Sequence, residues 1–212
     1  MLTHIPRRQT SITVSSPVKD MTVETIDRSE KAAALDVLCE AFHDYPVMQT
    51  SLAESGQAYD HHLREMIDLF CENRFGRGRP LYVLRKDASI AAVAVCSGAE
   101  SIPTTPELQS QSDALDALIG ETAVQRLAGY DDLSEVGEPE CPHHYLGMLG
   151  VRSALRGKGY GRALVDHLKV VVRHDPISEG ICLNTETEKN ISIYERMGFE
   201  VRGEAENDHL HT

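Results

Sequence analysis

Tryptophan is missing from this 212-residue chain, and so is any apolar run near the roughly 18 residues that a membrane-spanning helix needs. Residues 1–8, MLTHIPRR, hold none of the apolar core of a secretory signal, so a soluble, cytoplasmic protein with no membrane partner is expected. Five cysteines, Cys39, Cys71, Cys96, Cys141 and Cys182, form no CxxC pair. An odd, scattered set fits reduced, buried thiols better than a disulfide framework or a zinc site. The histidines, including His61, His62, His209 and His211, show no metal-ligand spacing, so no metal is expected. Basic charge is short, with 21 Lys and Arg against 33 Asp and Glu and a net charge of −12. That deficit argues against the concentrated basic face of a nucleic-acid binder and favours neutral or cationic small ligands. The nucleotide-triphosphate loop GxxxxGK[ST] is absent as well.

Length and an ordinary share of hydrophobic residues, 41%, describe one domain with a sizeable core. Residues 1–18 are rich in Ser, Thr and Pro without helical period and are expected to be a flexible tail or an added edge segment. Alternation over 21–26 predicts a strand, after which Asp27 or Ser29 caps a helix with apolar residues to Phe42. Leu63, Met66, Ile67 and Phe70 share one face of a second helix over 59–73. The cluster Arg74, Arg77, Arg79 after it reads as a solvated loop. Runs over 81–85 and 90–97 form a hairpin, and two amphipathic patches within 98–142 predict helices, an insertion that could serve as a lid. The remainder reads as strand 143–151, glycine loop, helix 159–173, strand 181–184, helix 190–197 and strand 199–202, a mixed sheet with helices packed on it.

The glycine loop is Arg156-Gly157-Lys158-Gly159-Tyr160-Gly161. Alternate glycines let backbone N–H groups approach a ligand, and the next helix aims its positive dipole end at the same point. Arg156 and Lys158 add charge and no capping side chain competes, so an anion belongs there. A tight turn without a ligand is the other reading of this loop alone. A dinucleotide fold needs GxGxxG in an early βαβ unit and an acidic residue on the next strand, whereas the strand here is Ile181-Cys182-Leu183-Asn184 with Glu186 just beyond.

Residues 149–164, LGVRSALRGKGYGRAL, resemble the hydrophobic strand and [RQ]xxGxG/A pyrophosphate signature of the GNAT acetyltransferase superfamily, with Ser153 where the family often has proline. Residues 190–199, NISIYERMGF, are similar to its second signature, a helix that carries a tyrosine and ends in Gly-Phe. Pro142-His143-His144-Tyr145-Leu146 is similar to the Pro-His-x-Tyr-Leu strand start of one group of these enzymes. The resemblance is close over about 142–202 and architectural before that.

The resemblance implies an α/β fold, an α+β mixed sheet of GNAT-like N-acyltransferase type with splayed central parallel strands, in one domain over 19–212. It implies acetyl-CoA as cosubstrate and direct attack by a primary amine, on a small molecule or peptide, through a tetrahedral intermediate; a homodimer is expected by analogy. Leu149 and Val151 would serve the pantetheine arm, Arg156, Gly157, Lys158, Gly159, Tyr160, Gly161 and Arg162 the pyrophosphate, and Asn190, at the helix start, the arm again. Tyr194 takes the role of acid toward the departing thiolate. For the base the candidates are His143 and Tyr145, two apart on one strand and so on one face with Gly147 and Leu149, while His144 points the other way. Glu186 and Glu40 are weaker alternatives. Residues 42–46, FHDYP, stand where the family builds its acceptor pocket. The family adds another strand after 199–202, yet the remaining residues leave room for a stub, so that strand is short, supplied by a partner or missing. A non-catalytic acyl-CoA-binding or sensing domain is the rival reading, and a nucleotide-binding oxidoreductase a third.

Overall fold

A computed structural model of the chain describes residues 1–4, 21–207, 210 and 212. Residues 5–18 of the expected tail, and His209 and His211, lie outside the described residues. The fold starts from strand β1 (Leu2–His4) and strand β2 (Glu24–Ile26). Asp27 then accepts the backbone N–H of Ser29 at 2.8 Å and its hydroxyl at 2.6 Å, which starts a 3-10 turn leading into α1 (Lys31–Phe42). Pro46 opens α2 (Pro46–Ser51), and α3 (Tyr59–Gly76) buries Leu63, Met66, Ile67 and Cys71 along one stripe. The expected hairpin is β3 (Leu81–Lys86) and β4 (Ser89–Cys96). Two helices occupy the expected insertion: α4 (Pro106–Ile119), capped by Thr105, and α5 (Glu121–Ser134). Then come β5 (His143–Val151), α6 (Tyr160–His174), β6 (Gly180–Leu183), α7 (Glu188–Glu195) and β7 (Glu200–Val201).

Among the described residues the sheet has seven strands in the order β2-β3-β4-β5-β6-β1-β7, and only β5 and β6 run parallel. One core lies between the sheet and α1 to α5, the other beneath α6. Leu38 and Leu164 are fully buried in these two cores, each worth about 1.5–3 kcal/mol relative to exposure. A Cβ on Gly150 would stand 3.1 Å from Ala41 Cβ and Leu38 Cδ2, so glycine there lets α1 lie close on β5.

The parallel pairing of β5 with β6 runs His143↔Gly180, His144↔Ile181, Tyr145↔Cys182 and then stops. From Leu146 to Val151 β5 continues without that neighbour, which is the expected splay. A β-bulge lies on the other side: Val95 faces Met148 and Cys96 faces Leu146, leaving Gly147 as the extra residue. The bulge corrects the expected alternation. Leu146 belongs to the α6 core, Met148 to the opposite core, and Leu149 and Val151 to the α6 side again. Tyr145 therefore does not share a face with Leu149; one inserted residue switches the side on which each later side chain falls.

The far edge brings a second correction. Part of the expected tail is strand β1, placed between β6 and β7 with Leu2↔Leu183 and Leu2↔Val201 in register. Leu2 and Thr3 are 2% exposed, Met1 O accepts from Arg202 N at 2.8 Å, and Thr3 Oγ1 accepts from Arg202 Nε at 3.0 Å. The sheet position expected to be short, borrowed or missing is thus filled from the start of the same chain. Backbone groups of β6 and β7 that face each other across that gap need partners, and an extended segment supplies them wherever it lies in sequence.

Candidate active site

The candidate anion-binding end is built from β5, the glycine loop and α6. Gly157 and Gly159 have φ of +76° and +90°, the left-handed region in which a Cβ is strained. Gly159 is the N-cap of α6, and no side chain bonds to the first N–H groups of that helix, so they point outward. Leu149 and Val151 pack on this face, 3.7 Å from where a Cβ on Gly161 would stand. Tyr160 is buried beneath the loop. Arg156 makes two long contacts, 3.5 Å to Val151 O and 3.5 Å to Ala41 O, and remains exposed. Lys158 Nζ donates to Ala154 O at 2.8 Å, and Arg162 Nη2 to Arg196 O at 2.9 Å. The loop is anchored from α1: Glu40 accepts from Arg152 Nη1 at 2.8 Å and from the Ser153 amide at 2.6 Å. Those partners, the guanidinium first, hold its carboxyl at about 2. Glu40 is therefore a fixed anion serving the loop.

A cluster of polar side chains lies where β5 and β6 part, on the side of α3 and α5, and is the candidate reaction end. Tyr130 donates to Glu186 Oε1 at 2.6 Å, and Thr212 Oγ1 to the same oxygen at 3.4 Å. The Tyr45 hydroxyl lies 2.9 Å from Thr185 Oγ1 and accepts from the Glu186 amide at 3.4 Å. Asn190 Nδ2 donates to Thr185 Oγ1 at 3.0 Å. Tyr145 stands beside them, and burial followed by the neighbouring Cys182 and Glu186 pushes its phenol upward. Burial does the same to Tyr194, which packs edge-on against Phe199 at 5.6 Å between centroids. The Tyr194 hydroxyl makes no hydrogen bond to any described residue.

Several expectations need adjusting. Both ring nitrogens of His143 are engaged, Nδ1 2.9 Å from Cys141 O and Nε2 3.3 Å from Glu138. His144 does point to the opposite face, bonding Asp175 at 2.7 Å past the end of α6. Asn190 is not the first residue of its helix, because Thr187 caps α7 by accepting the Asn190 N–H. Of residues 42–46, Tyr45 turns inward to Glu186, whereas His43 sits outside with Asp44 and Asp60. The arginine cluster is no solvated loop: Arg74 is on α3, Arg77 bonds Asn73, Ile102 and Thr104, and Arg79 pairs with Glu100.

Residues 115–201 match the family model described as acetyltransferase (GNAT) domain. That stretch is similar to a GNAT acetyltransferase domain. A curated relative, the 5-NmdU N-acetyltransferase of Pseudomonas phage PaMx11, is 31% identical over 65 residues, which make up 31% of this chain and 45% of that protein. This chain thus spans less than half the length of that relative. Among solved structures, a histone acetyltransferase HPA2 and related acetyltransferase from Corynebacterium glutamicum superimposes with a TM-score of 0.66 at 24% identity, covering 92% of each chain. Arylalkylamine N-acetyltransferase 2 from Aedes aegypti gives 0.56 at 13% identity over 91% of this chain and 96% of its own. The likeness is one of fold, a mixed α/β sheet.

Sequence reading missed three residues beside this candidate site, Arg74, Tyr130 and Asn184. The signal for two of them was present. Ile67, Cys71 and Arg74 recur at i, i+4, i+7, and Ala123, Leu127 and Tyr130 do the same, so both polar residues stand on the inward stripes of their helices.

Proposed function

We propose that the protein is an acetyl-CoA-dependent N-acetyltransferase acting on a primary amine. The observation that carries this reading is the uncapped, glycine-headed N-terminus of α6 at one end of the gap between β5 and β6. Such a terminus holds a pyrophosphate through backbone N–H groups and the helix dipole. Arg156 and Arg162 stand ready at its rim, Leu149 and Val151 offer backbone groups along the gap, and Asn190 bounds it across from them. Acetyl-CoA, when bound, supplies a thioester whose carbonyl carbon gains the amine nitrogen and whose C–S bond breaks.

The protein's own groups handle protons and charge. An alkyl ammonium ion, with a pKa near ~10.4, must lose a proton before it attacks. Glu186 is assigned that proton, in preference to His143, because its carboxylate faces the reaction side while both His143 nitrogens are occupied. Tyr145 walls the site as a neutral phenol. The bulge at Gly147 interrupts the ladder just before Met148 and Leu149, beyond the last pairing of β5 with β6, and an N–H left facing that gap stabilises an oxyanion. Tyr194 donates to the departing thiolate; burial keeps its phenol protonated at neutral pH, and its hydroxyl has no competing partner among the described residues. Helices α4 and α5 cover this side and act as the lid.

Isothermal titration with acetyl-CoA tests the cofactor site. Micromolar-range binding is expected, abolished by Gly159→Glu; no binding to the wild type overturns the reading. Thiol release with an amine panel then separates an enzyme from a silent acyl-CoA-binding domain, which binds the cofactor and turns over nothing.

A further inference from the structure

Arg74 is a cation without a partner among the described residues. Its Nε is shielded from solvent and unbonded, and its guanidinium makes no hydrogen bond or ion pair with any described residue, although Arg77 and Arg79 next to it are satisfied. The groups around it are Cys96, Tyr145, Cys71 and Arg77, a set with no carboxylate. An arginine does not escape such burial by losing its proton, so an anion is called for.

Its position says where that anion would lie. Arg74 Nη2 is 3.8 Å from where a Cβ on Gly147 would stand, and the Tyr145 ring is 3.5 Å from the same point. Gly147 is the bulge residue and is exposed, so the absence of a side chain leaves an open passage between guanidinium and phenol at the parting of the strands. The glycine loop is remote. Four residues of strand separate Gly147 from Val151, about 13 Å at ~3.3 Å per residue, with the loop beyond. A cofactor pyrophosphate on that loop does not reach Arg74. Glu186 and Arg74 both act electrostatically on the Tyr145 phenol, with opposite sign. Asn184 adds a buried Oδ1 without a donor on the same side.

We propose that the acceptor is a primary amine carrying a carboxylate, an amino acid in the general sense, with its amino group at Glu186 and its carboxylate at Arg74. Fork geometry suits Arg74 to a planar carboxylate. This narrows the expectation drawn from net charge, which favoured neutral or cationic ligands: a surface dominated by acidic residues encloses one unpaired positive group at the reaction end. The inference rests on the proposed acetyltransferase reading, since that reading makes this cleft the acceptor site.

The test uses L-alanine, β-alanine and γ-aminobutyrate, three spacings between amine and carboxylate, each against its primary amide. Thiol release at saturating acetyl-CoA is followed for the wild type, Arg74→Met and Arg74→Lys. For at least one spacing, kcat/KM for the acid is expected to exceed that for the amide by tenfold or more. Arg74→Met is expected to lower the acid about 100-fold and the amide less than threefold, with Arg74→Lys between. Thermal midpoint and acetyl-CoA affinity report whether each variant is folded. Amides turned over as well as acids, or discrimination retained in Arg74→Met, overturns the proposal. If acetyl-CoA binds and no amine is turned over, the catalytic reading fails, and titration of the same acids into the protein still decides the role of Arg74. Acid binding lost in Arg74→Met supports it, and no binding at any spacing overturns it.

Discussion

Replacing Glu40 with glutamine removes the charge by which α1 grips the head of the glycine loop. Its carboxylate accepts from the Arg152 guanidinium at 2.8 Å and from the Ser153 amide at 2.6 Å, and these bonds hold it at about 2 instead of 4.5. At 1.36 kcal/mol per pKa unit the full shift corresponds to ~3 kcal/mol. Glu40 and Arg152 are 33% and 35% exposed, however. Solvent screening reduces the contribution to about 1–1.5 kcal/mol. Because the folded value is depressed, the stabilisation is complete above pH 4.5 and is lost as pH falls toward 2. Urea denaturation of wild type and Glu40→Gln should differ by about 1–1.5 kcal/mol at pH 7 and by under half of that at roughly pH 3. Acetyl-CoA affinity should fall several-fold in the variant, since the loop loses its anchor. No difference at pH 7, or a difference that does not shrink with acid, refutes the reasoning.

Leu2→Ala should cost about 2–3 kcal/mol in the same assay if β1 is a true strand of the sheet, and nothing measurable if these residues are free. Gly150→Ala forces a methyl to 3.1 Å from Leu38 and Ala41, and a loss of about 1–3 kcal/mol is expected from overpacking α1 against β5. Tyr194→Phe should lower kcat about 100-fold while leaving thermal midpoint and acetyl-CoA affinity unchanged, because its hydroxyl makes no hydrogen bond to any described residue. Cys71, Cys96 and Cys182 are buried whereas Cys39 and Cys141 are partly exposed, so a disulfide reagent applied to the native protein should label the latter two alone, Cys39 more slowly because burial raises its thiol, with all five reacting after denaturation.

The sequence by itself determined the cofactor half. Alternate glycines, the strand before them and the helix after them are consecutive in the chain, so period and turn chemistry suffice to read β5, the loop and α6 within a residue at each end. Local rules also found the helices of residues 98–142. Contacts between distant segments decided the rest. The bulge at Gly147 depends on how β4 registers against β5, and that register moved Tyr145 to the face opposite Leu149. Leu2–His4 carries too short a pattern to read as a strand, and only the unpaired edges of β6 and β7 make it one. The proposed reaction end draws Tyr45, Arg74, Tyr130, Tyr145 and Glu186 from five separate elements or loops. Periodicity places a residue on a face of its own element, while burial without a partner, as at Arg74, exists only once the neighbouring elements have packed against it.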